Sequence, residues 1–213
     1  MTILVTGGTG LVGARLLPRL AEAGEDCRAL MRGGKEVPAG VTAAEGDLLD
    51  PPSLVKVVEG VSAIIHLAAV FRTQDTDLIW KSNLEGTRNL IAAAKAHASE
   101  ARFIMASTTN VYNMCSPRPG REDDAADPKM AYPASKLAAE KELRESGLNW
   151  SIQRFGFVYG DQGWTSGGVA QACSQGQMAP RSKDEHDPPS RYCRCHESRP
   201  DRRDGRAHRQ YRR

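Results

Sequence analysis

The segment from Thr6 to Gly13, with the sequence TGGTGLVG, constrains the fold of this chain most because it joins a strand-like run to a helical pattern. The apolar residues Ile3, Leu4 and Val5 precede it, and a helical pattern over residues 11–23 follows. A strand that ends in such a turn leaves backbone N–H groups at a helix N-terminus, where the helix dipole attracts anions. We therefore expect a strand–turn–helix unit that binds the pyrophosphate of a dinucleotide.

The spacing of the glycines in this turn predicts a separate task for each. Gly7 makes the tight turn, Gly10 allows the close approach to the phosphates, and Gly13 allows the helix to pack closely on the strand. Leu11 and Val12, which lie between the last two glycines, join the expected cofactor-binding set. Glycine-rich turns also occur where nothing binds, so the prediction depends equally on the flanking strand and helix.

Strand-like and helix-like segments alternate along the first 160 residues. The pattern predicts strands at 2–6, 27–31, 42–45, 63–67, 102–106 and 150–154, and helices at 11–23, 52–58, 77–97 and 134–145. Strands rich in Val, Ile and Leu that alternate with helices are typical of an α/β fold with a doubly wound parallel sheet. We expect a Rossmann-type NAD(P)-binding domain over residues 1–169, with ligands at the carboxyl ends of the strands.

The composition changes abruptly after Val169. Residues 170–213 contain no Val, Ile, Leu, Phe or Trp, and residues 181–213 carry ten Arg and one Lys against six acidic residues, a net charge of +5. Such a segment buries too little apolar surface to offset the entropy of ordering, so we predict a basic, disordered tail. Two explanations account for this composition. One is a natural tail that binds an anionic partner, and the other, which we favour, is out-of-frame translation of GC-rich DNA.

Several other classes of protein are not expected. The chain has no apolar run long enough to span a bilayer and no signal-peptide pattern, so we predict a cytoplasmic protein that does not bind membranes. The spacing of Cys193, Cys195 and His196 does not match a structural zinc motif, so no metal is expected. The arginine-rich tail lacks aromatic stacking residues, and we do not expect nucleic-acid binding. The five cysteines form no regular disulfide framework, which suits a reducing compartment: Cys27, Cys115, Cys173, Cys193 and Cys195.

The sequence Tyr132-Pro133-Ala134-Ser135-Lys136 places a phenol and an ammonium one helical turn apart on one face. A free phenol titrates near 10, so about 4 kcal/mol of phenolate stabilisation makes it exchange protons near neutral pH. A neighbouring ammonium supplies part of this, and an oxidised nicotinamide supplies more. The alternative is an ordinary amphipathic helix with Tyr132 and Lys136 exposed.

A hydroxyl-rich stretch ends the strand predicted at residues 102–106. Thr108 is expected to stand at the carboxyl end of that strand, where its hydroxyl donates to the oxygen of a substrate. The alternative is that Thr108 caps the strand in a turn in which its side chain bonds the backbone.

Taken together, these motifs resemble the extended branch of the short-chain dehydrogenase/reductases, the NAD(P)-dependent epimerase/dehydratase family. The matching pieces occur in the family's order over residues 1 to about 160: Thr6–Gly13, Gly46-Asp47-Leu48, His66-Leu67-Ala68-Ala69, Asn83-Leu84-Glu85-Gly86-Thr87, Ser107-Thr108…Val111-Tyr112, Tyr132…Lys136 and Arg154…Val158-Tyr159-Gly160. The joint match is far more specific than any single piece.

The resemblance implies roles for individual residues. Asp47 and Leu48 contact the adenine, while Ala68 and Ala69 line the path to the nicotinamide ribose. Tyr132 is the general acid and base, Lys136 bonds the ribose and lowers the pKa of the phenol, and Thr108 orients the substrate oxygen. Family members often pair through two long helices, so the resemblance also implies a homodimer through residues 77–97 and 134–145.

This chain departs from the family in three places. Asn113 follows the Val-Tyr pair where the family has Gly, and Phe155 follows Arg154 where the family has a Pro that packs near the nicotinamide. The resemblance therefore places Phe155 among the cofactor-binding residues. The family continues into a segment that builds most of the substrate pocket, and we expect that segment to be largely missing here.

The residue at the end of the second predicted strand indicates which cofactor the chain prefers. A carboxylate there would bond the ribose 2′-OH of NAD, but the strand leads into Arg32, and Asp26 lies at its start. A guanidinium suits the 2′-phosphate of NADP, so NADP is the expected cofactor and NAD the alternative. Arg32 as a solvated surface side chain is the third interpretation.

These observations and the resemblance predict an NAD(P)-dependent oxidoreductase/epimerase-type enzyme, which transfers a hydride between nicotinamide and a C–OH or C=O group of a small substrate, such as a nucleotide sugar. An NADPH-dependent ketone or aldehyde reductase is one alternative. A non-catalytic NADP-binding module, owing to loss of the substrate segment, is the other.

Overall fold

Six strands form one parallel sheet in the computed structural model, which describes residues 1–33, 36–112 and 120–158. The strands are Thr2–Thr6 (β1), Asp26–Met31 (β2), Val41–Glu45 (β3), Ala63–His66 (β4), Arg102–Thr108 (β5) and Asn149–Phe155 (β6). Their order across the sheet is β3-β2-β1-β4-β5-β6, and every neighbouring pair is parallel. The predicted doubly wound, Rossmann-type sheet is confirmed.

The helices lie between the strands and cover both faces of the sheet. They are Gly13–Glu22 (α1), Pro51–Val58 (α2), Thr76–Trp80 (α3), Gly86–His97 (α4) and Ala131–Arg144 (α5). A π-helical turn, Lys81–Glu85, joins α3 to α4, and the short 3-10 turn Thr109–Val111 follows β5. In the part of the chain described here, no helix is both long and apolar enough to cross a membrane.

The core consists of two apolar layers, one on each face of the sheet. Leu4 and Val5 are adjacent in β1 and fully buried, but Leu4 packs with Phe103 in the larger layer and Val5 with Leu17 in the smaller one. Successive side chains of a strand point to opposite faces, so a strand covered on both sides is apolar throughout. This explains the unbroken apolar run of Ile3, Leu4 and Val5 within β1.

The strand order reverses between β1 and β4, and this reversal sets the place of the functional residues. The connection after β1 leads to one side of the sheet and the connection after β4 to the other. In such sheets ligands bind in the crevice at the carboxyl ends of the two strands. The predicted site residues follow the ends of all six strands or lie in the first turns of α5, so they gather at this one edge.

Some boundaries differ from the predicted ones. The helix predicted over 77–97 is interrupted by the π-helical turn at Lys81–Glu85. The sequence pattern did not predict this turn, because a single inserted residue leaves the apolar pattern almost unchanged. The strand β5 runs two residues past its predicted end, to Thr108, and α5 begins three residues early, at Ala131. Tyr132 is therefore inside the first turn of its helix. Asn113 and the tail over 170–213 lie outside the described residues.

Candidate active site

The glycine turn presses directly on the end of β4. Gly7 has φ +72°, and a Cβ placed on it would lie 2.6 Å from the backbone nitrogen of Ala68. A Cβ on Gly13 would overlap the carbonyl oxygen of Gly7 and lie 2.7 Å from the Cα of Gly8. The tight turn expected of Gly7 and the helix–strand packing expected of Gly13 are therefore present in the backbone.

Gly10, Leu11 and Val12 form the open side of the same turn. Gly10 is exposed and donates its N–H to the carbonyl of Gly7 at 3.0 Å, and a Cβ on it would meet only that carbonyl, at 3.2 Å. Leu11 and Val12 are half-buried and lead into α1. This cradle of backbone groups at a helix N-terminus fits an anion, and the contact between Gly10 and the phosphates stays a prediction.

A cavity of about 320 Å³ lies at the ends of β2 and β3. It is lined by Arg32, which is exposed, and by Asp47, and the contact of either with a cofactor stays a prediction. Asp47 is held in place because its Oδ1 accepts the N–H of Leu49 at 2.9 Å and its own N–H donates to Ser53 Oγ at 3.0 Å. The residues that line the cavity are Arg32, Gly33, Glu45, Gly46, Asp47, Asp50 and Ser53.

The half-buried Leu48 and the two alanines after β4 complete the predicted cofactor edge. The Leu48 carbonyl accepts Asn89 Nδ2 at 2.8 Å, which ties this segment to α4. Ala68 donates its N–H to Thr6 Oγ1 at 3.3 Å, and Ala69 follows it, half-buried. Ala68 therefore stands against the glycine turn, and the contacts of Leu48, Ala68 and Ala69 with a cofactor stay predictions.

His66, at the end of β4, is a buried residue to which the sequence analysis assigned no role. Its Nδ1 lies 2.7 Å from Thr6 Oγ1 and its Nε2 lies 2.9 Å from Thr87 Oγ1. Thr87 already donates its one hydroxyl hydrogen to the carbonyl of Asn83 at 2.6 Å. Thr87 must therefore accept from His66 Nε2–H, which leaves Nδ1 to accept from Thr6.

The environment of His66 keeps this ring neutral. Burial, reinforced by the charge of Lys136, lowers the pKa of His66 to about 3. A histidine within the apolar run Ala63–His66 was the one available signal, since a buried ring must find partners for both nitrogens. Those partners come from β1 and α4, which sequence spacing does not reveal.

Asn83 holds the loop after β4 against α5. Its Oδ1 accepts the N–H of Val70 at 2.8 Å, and its Nδ2 donates to the Val70 carbonyl at 2.9 Å and to Ser135 Oγ at 3.1 Å. Ser135 in turn donates to the carbonyl of Tyr132 at 2.8 Å. The fully buried Asn83 side chain, placed by the π-helical turn, thus couples the cofactor edge to the start of α5.

Tyr132 is half-buried in the first turn of α5, with its ring centroid 5.6 Å from that of Phe71. Burial raises the pKa of the Tyr132 phenol. Desolvation of the ring disfavours the phenolate and is the cause of the shift. The lowering of this pKa by Lys136 and a bound nicotinamide, which the resemblance implies, stays a prediction.

Lys136 lies one turn further along α5 and is 1% exposed. Burial lowers the pKa of Lys136 to about 8, and the charge of Glu140 opposes this fall. Among the described residues it makes no hydrogen bond or ion pair, so its donors are left for a ligand. The interpretation of Tyr132 and Lys136 as an exposed surface pair is therefore wrong, because a solvated lysine would not be buried.

Thr108 and Phe155 face each other across the ends of β5 and β6. They are paired in register, Thr108 is 6% exposed and Phe155 is half-buried. Thr108 Oγ1 accepts the N–H of Asn110 at 3.2 Å, which is the capping turn considered above. Its hydroxyl hydrogen goes to no described residue, so the cap and a bond to a substrate oxygen are compatible.

These features fit a nicotinamide dinucleotide. The glycine turn packs tightly on β4 through Gly7 and leaves Gly10 exposed at a helix N-terminus, where an anion can approach the backbone. The buried ammonium of Lys136 has donors that ribose hydroxyls would satisfy. The strand order and the Tyr–Lys helix define a dinucleotide-binding domain of the extended short-chain dehydrogenase/reductase class. The model of the NAD dependent epimerase/dehydratase family matches residues 3–176, and the chain belongs to this family.

Individual relatives agree with this assignment. A 2-alkyl-3-oxoalkanoate reductase of Stenotrophomonas maltophilia is 34% identical over 151 residues, which cover 67% of this chain and 46% of the relative. A UDP-glucose 4-epimerase of Azospirillum brasilense is 31% identical over 157 residues, which cover 68% and 44%. A short-chain dehydrogenase/reductase superfamily protein of Agrobacterium tumefaciens, solved with bound NAD, shares 32% identity at a TM-score of 0.63, covering 73% and 49%. The chain spans about half the length of the relatives that it matches.

Proposed function

We propose that this chain is an NAD(P)-dependent enzyme of the oxidoreductase/epimerase type, which moves a hydride between nicotinamide and a C–OH or C=O carbon of a small substrate, such as a nucleotide sugar. The observation that carries the proposal is the buried ammonium of Lys136, which lies one turn from Tyr132 at the carboxyl edge of the sheet. A buried cation is costly unless it is paired. A ligand with hydroxyl groups at this point accounts for it.

The roles of the side chains follow from their positions. A bound nicotinamide supplies the hydride acceptor or donor. Thr108 donates its hydroxyl hydrogen to the substrate oxygen, and Tyr132 moves the proton at that oxygen. Lys136 bonds the ribose, and its charge stabilises the phenolate of Tyr132 as it forms. Because burial raises the pKa of Tyr132, the resting side chain is the neutral phenol, ready to donate a proton to a carbonyl oxygen.

An NADPH-dependent ketone or aldehyde reductase is the second candidate, and the neutral phenol favours it. Reduction of a carbonyl needs a proton donor, whereas oxidation needs the phenolate. The reductase activity in the name of the Stenotrophomonas maltophilia relative points in the same direction. The two candidates separate on the cofactor, because a reductase consumes NADPH in proportion to product and an epimerase returns its cofactor unchanged.

We propose NADP as the preferred cofactor, with NAD as the alternative. Arg32 lines the cavity at the end of β2, where its guanidinium suits a 2′-phosphate. Glu45, Asp47 and Asp50 line the same cavity and oppose a second negative group. In Arg32→Ala we expect NADPH to lose about tenfold in affinity, the equivalent of about 1.4 kcal/mol, while NADH binding stays within about twofold. Equal losses for both nucleotides would show that Arg32 does not select the cofactor.

Substitution of Tyr132 tests the catalytic role. Tyr132→Phe should lower turnover by about 10²-fold or more, the usual contribution of a general acid, while the Kd of the nucleotide stays within a few fold. Unchanged turnover would exclude Tyr132 as the acid. A wild-type chain that binds the nucleotide but turns over no carbonyl or alcohol substrate would support the non-catalytic binding module.

Two further features of the family are proposed for this chain. We expect a homodimer formed by the helices over residues 77–97 and 134–145, and sedimentation analysis at micromolar concentrations measures its mass. We also expect a cytoplasmic location, which a fluorescent fusion tests in cells.

A further inference from the structure

The buried carboxylate of Glu140 lies on the same face of α5 as Tyr132 and Lys136. The three residues are spaced four apart, so each lies one turn beyond the last. Glu140 is 1% exposed. It stands eight residues, or about 12 Å along the helix axis, from Tyr132. Glu140 therefore does not touch the reacting atoms, and its burial needs another explanation.

One carboxylate joins three elements at this point. Ser107 in β5 donates its hydroxyl to Glu140 Oε1 at 2.5 Å. Arg154 in β6 donates from Nε to Oε1 at 3.0 Å and from Nη2 to Oε2 at 2.6 Å. Ser107 and Arg154 are paired in register, and the next pair along the strands is Thr108 with Phe155. Glu140 thus fastens the helix of Tyr132 and Lys136 directly behind Thr108.

Arg154 extends this connection to the segment after β5. Its Nη1 donates to the phenolic oxygen of Tyr112 at 2.5 Å and to the carbonyl of Glu122 at 3.2 Å. The guanidinium also lies 4.7 Å from the centroid of the Tyr112 ring, a cation–π contact. The backbone of Tyr112 also forms an isolated antiparallel β-bridge with that of Ala126. The residues around the end of β5 are therefore held from both sides.

The charges of the cluster are settled by these contacts. Burial alone would raise the pKa of Glu140, but the hydrogen bonds from Arg154 and Ser107 and the charges of Arg154 and Arg144 leave the pKa below its ordinary value. Glu140 is therefore an anion beside the buried Lys136. The charge of Glu140 acts on Lys136, and the charge of Lys136 in turn helps to keep His66 on β4 neutral.

A buried ion pair is a poor device for stability alone, because desolvation offsets its attraction, whereas its geometry places elements precisely in register. We infer that Glu140 is a positioning residue, which uses its pair with Arg154 and its bond to Ser107 to set Thr108 against Tyr132 and Lys136. The inference deepens the proposed function and rests on it for the roles of those three residues. Its anionic charge also helps Lys136 to remain an ammonium.

The test compares Glu140→Gln with a matched variant on the same helix. Glu142→Gln removes a carboxylate that also bonds an arginine, Arg88, at 2.6 Å, but at the surface. The titration of Lys136 is followed in each folded protein by NMR of its side-chain nitrogen, which requires neither nucleotide nor substrate. Glu140→Gln should lower the Lys136 midpoint by about half a pH unit or more, and Glu142→Gln should leave it unchanged. An unchanged midpoint in Glu140→Gln would overturn the part of the inference in which the charge of Glu140 helps Lys136 to remain an ammonium.

Two further measurements separate positioning from a general loss of stability. Glu140→Asp keeps the charge and shortens the side chain, so it should preserve the Lys136 midpoint but shift the amide and methyl resonances of Thr108. If Glu140→Gln fails to fold, this variant carries the test, and unmoved Thr108 resonances would refute the role. If wild type binds no nucleotide while these shifts appear, the proposed function fails and the positioning of Thr108 stands.

Discussion

Substitution of Gly7 by Ala tests the contact between the glycine turn and the end of β4. Gly7 has φ +72°, and its added Cβ would lie 2.6 Å from the nitrogen and 2.9 Å from the Cα of Ala68. The three atoms nearest to it all belong to the backbone, so the clash cannot be relieved by turning a side chain. The matched variant is Gly24→Ala, because Gly24 has φ +82° and a Cβ there meets nothing within 4 Å.

The two variants share the conformational cost and differ in the steric one. A left-handed backbone costs an alanine about 1–2 kcal/mol, which is the full loss expected for Gly24→Ala. Gly7→Ala adds the cost of overpacking, typically about 1–3 kcal/mol, so its total loss is about 2–5 kcal/mol. The difference between the variants therefore isolates the clash with Ala68.

Urea unfolding followed by circular dichroism measures both losses. The free energy of unfolding should fall in each variant, with the midpoint lowered and the denaturant slope unchanged. If Gly7→Ala is no less stable than Gly24→Ala, the turn does not press on β4, and the argument for a close-fitting pyrophosphate cradle fails.

Three more predictions concern buried polar groups. The pKa of Lys136, about 8, lies below the ordinary 10.5, so its stability contribution is present above pH 10.5 and lost as pH falls through 8. Between pH 7 and pH 10, the unfolding free energy of wild type should therefore rise by about 2–3 kcal/mol relative to that of Lys136→Met. A difference between the two proteins that stays constant over this pH range in urea titrations would contradict the prediction. The pKa of His66, about 3, lies below 6.5, so NMR should find the neutral ring with hydrogen on Nε2 at pH 5, and a charged ring there would refute the hydrogen-bond assignment. Asn83→Leu leaves both backbone groups of Val70 unpaired and should cost about 2–4 kcal/mol in urea unfolding. The control Asn89→Leu loses only the hydrogen bond to the Leu48 carbonyl and should cost about 1 kcal/mol. Equal losses of unfolding free energy in the two variants would argue against the role of Asn83 in holding the loop after β4.

Local patterns were sufficient to predict the sheet and the edge at which the site lies. The apolar strands and the helices between them, the turn with Gly7 and Gly13, and the ends of strands that carry Arg32, Asp47 and Thr108 follow from periodicity and turn chemistry. These signals act over a few residues, so they can be read from neighbours in the chain. Boundaries that depend on one residue, such as the π-helical turn at Lys81–Glu85, could not be read in this way.

The tertiary structure decided the electrostatics of the site. His66 takes its partners from Thr6 and Thr87, 60 and 21 residues away, and Glu140 takes Ser107 from 33 residues away. Such pairs exist only once the strand order has brought distant segments together. For the same reason the spacing of Tyr132 and Lys136 placed them on one helix face, but only the packing of that face showed that Lys136 is buried. Burial depends on what covers a side chain, so the burial that raises the pKa of the Tyr132 phenol could not be read from the sequence.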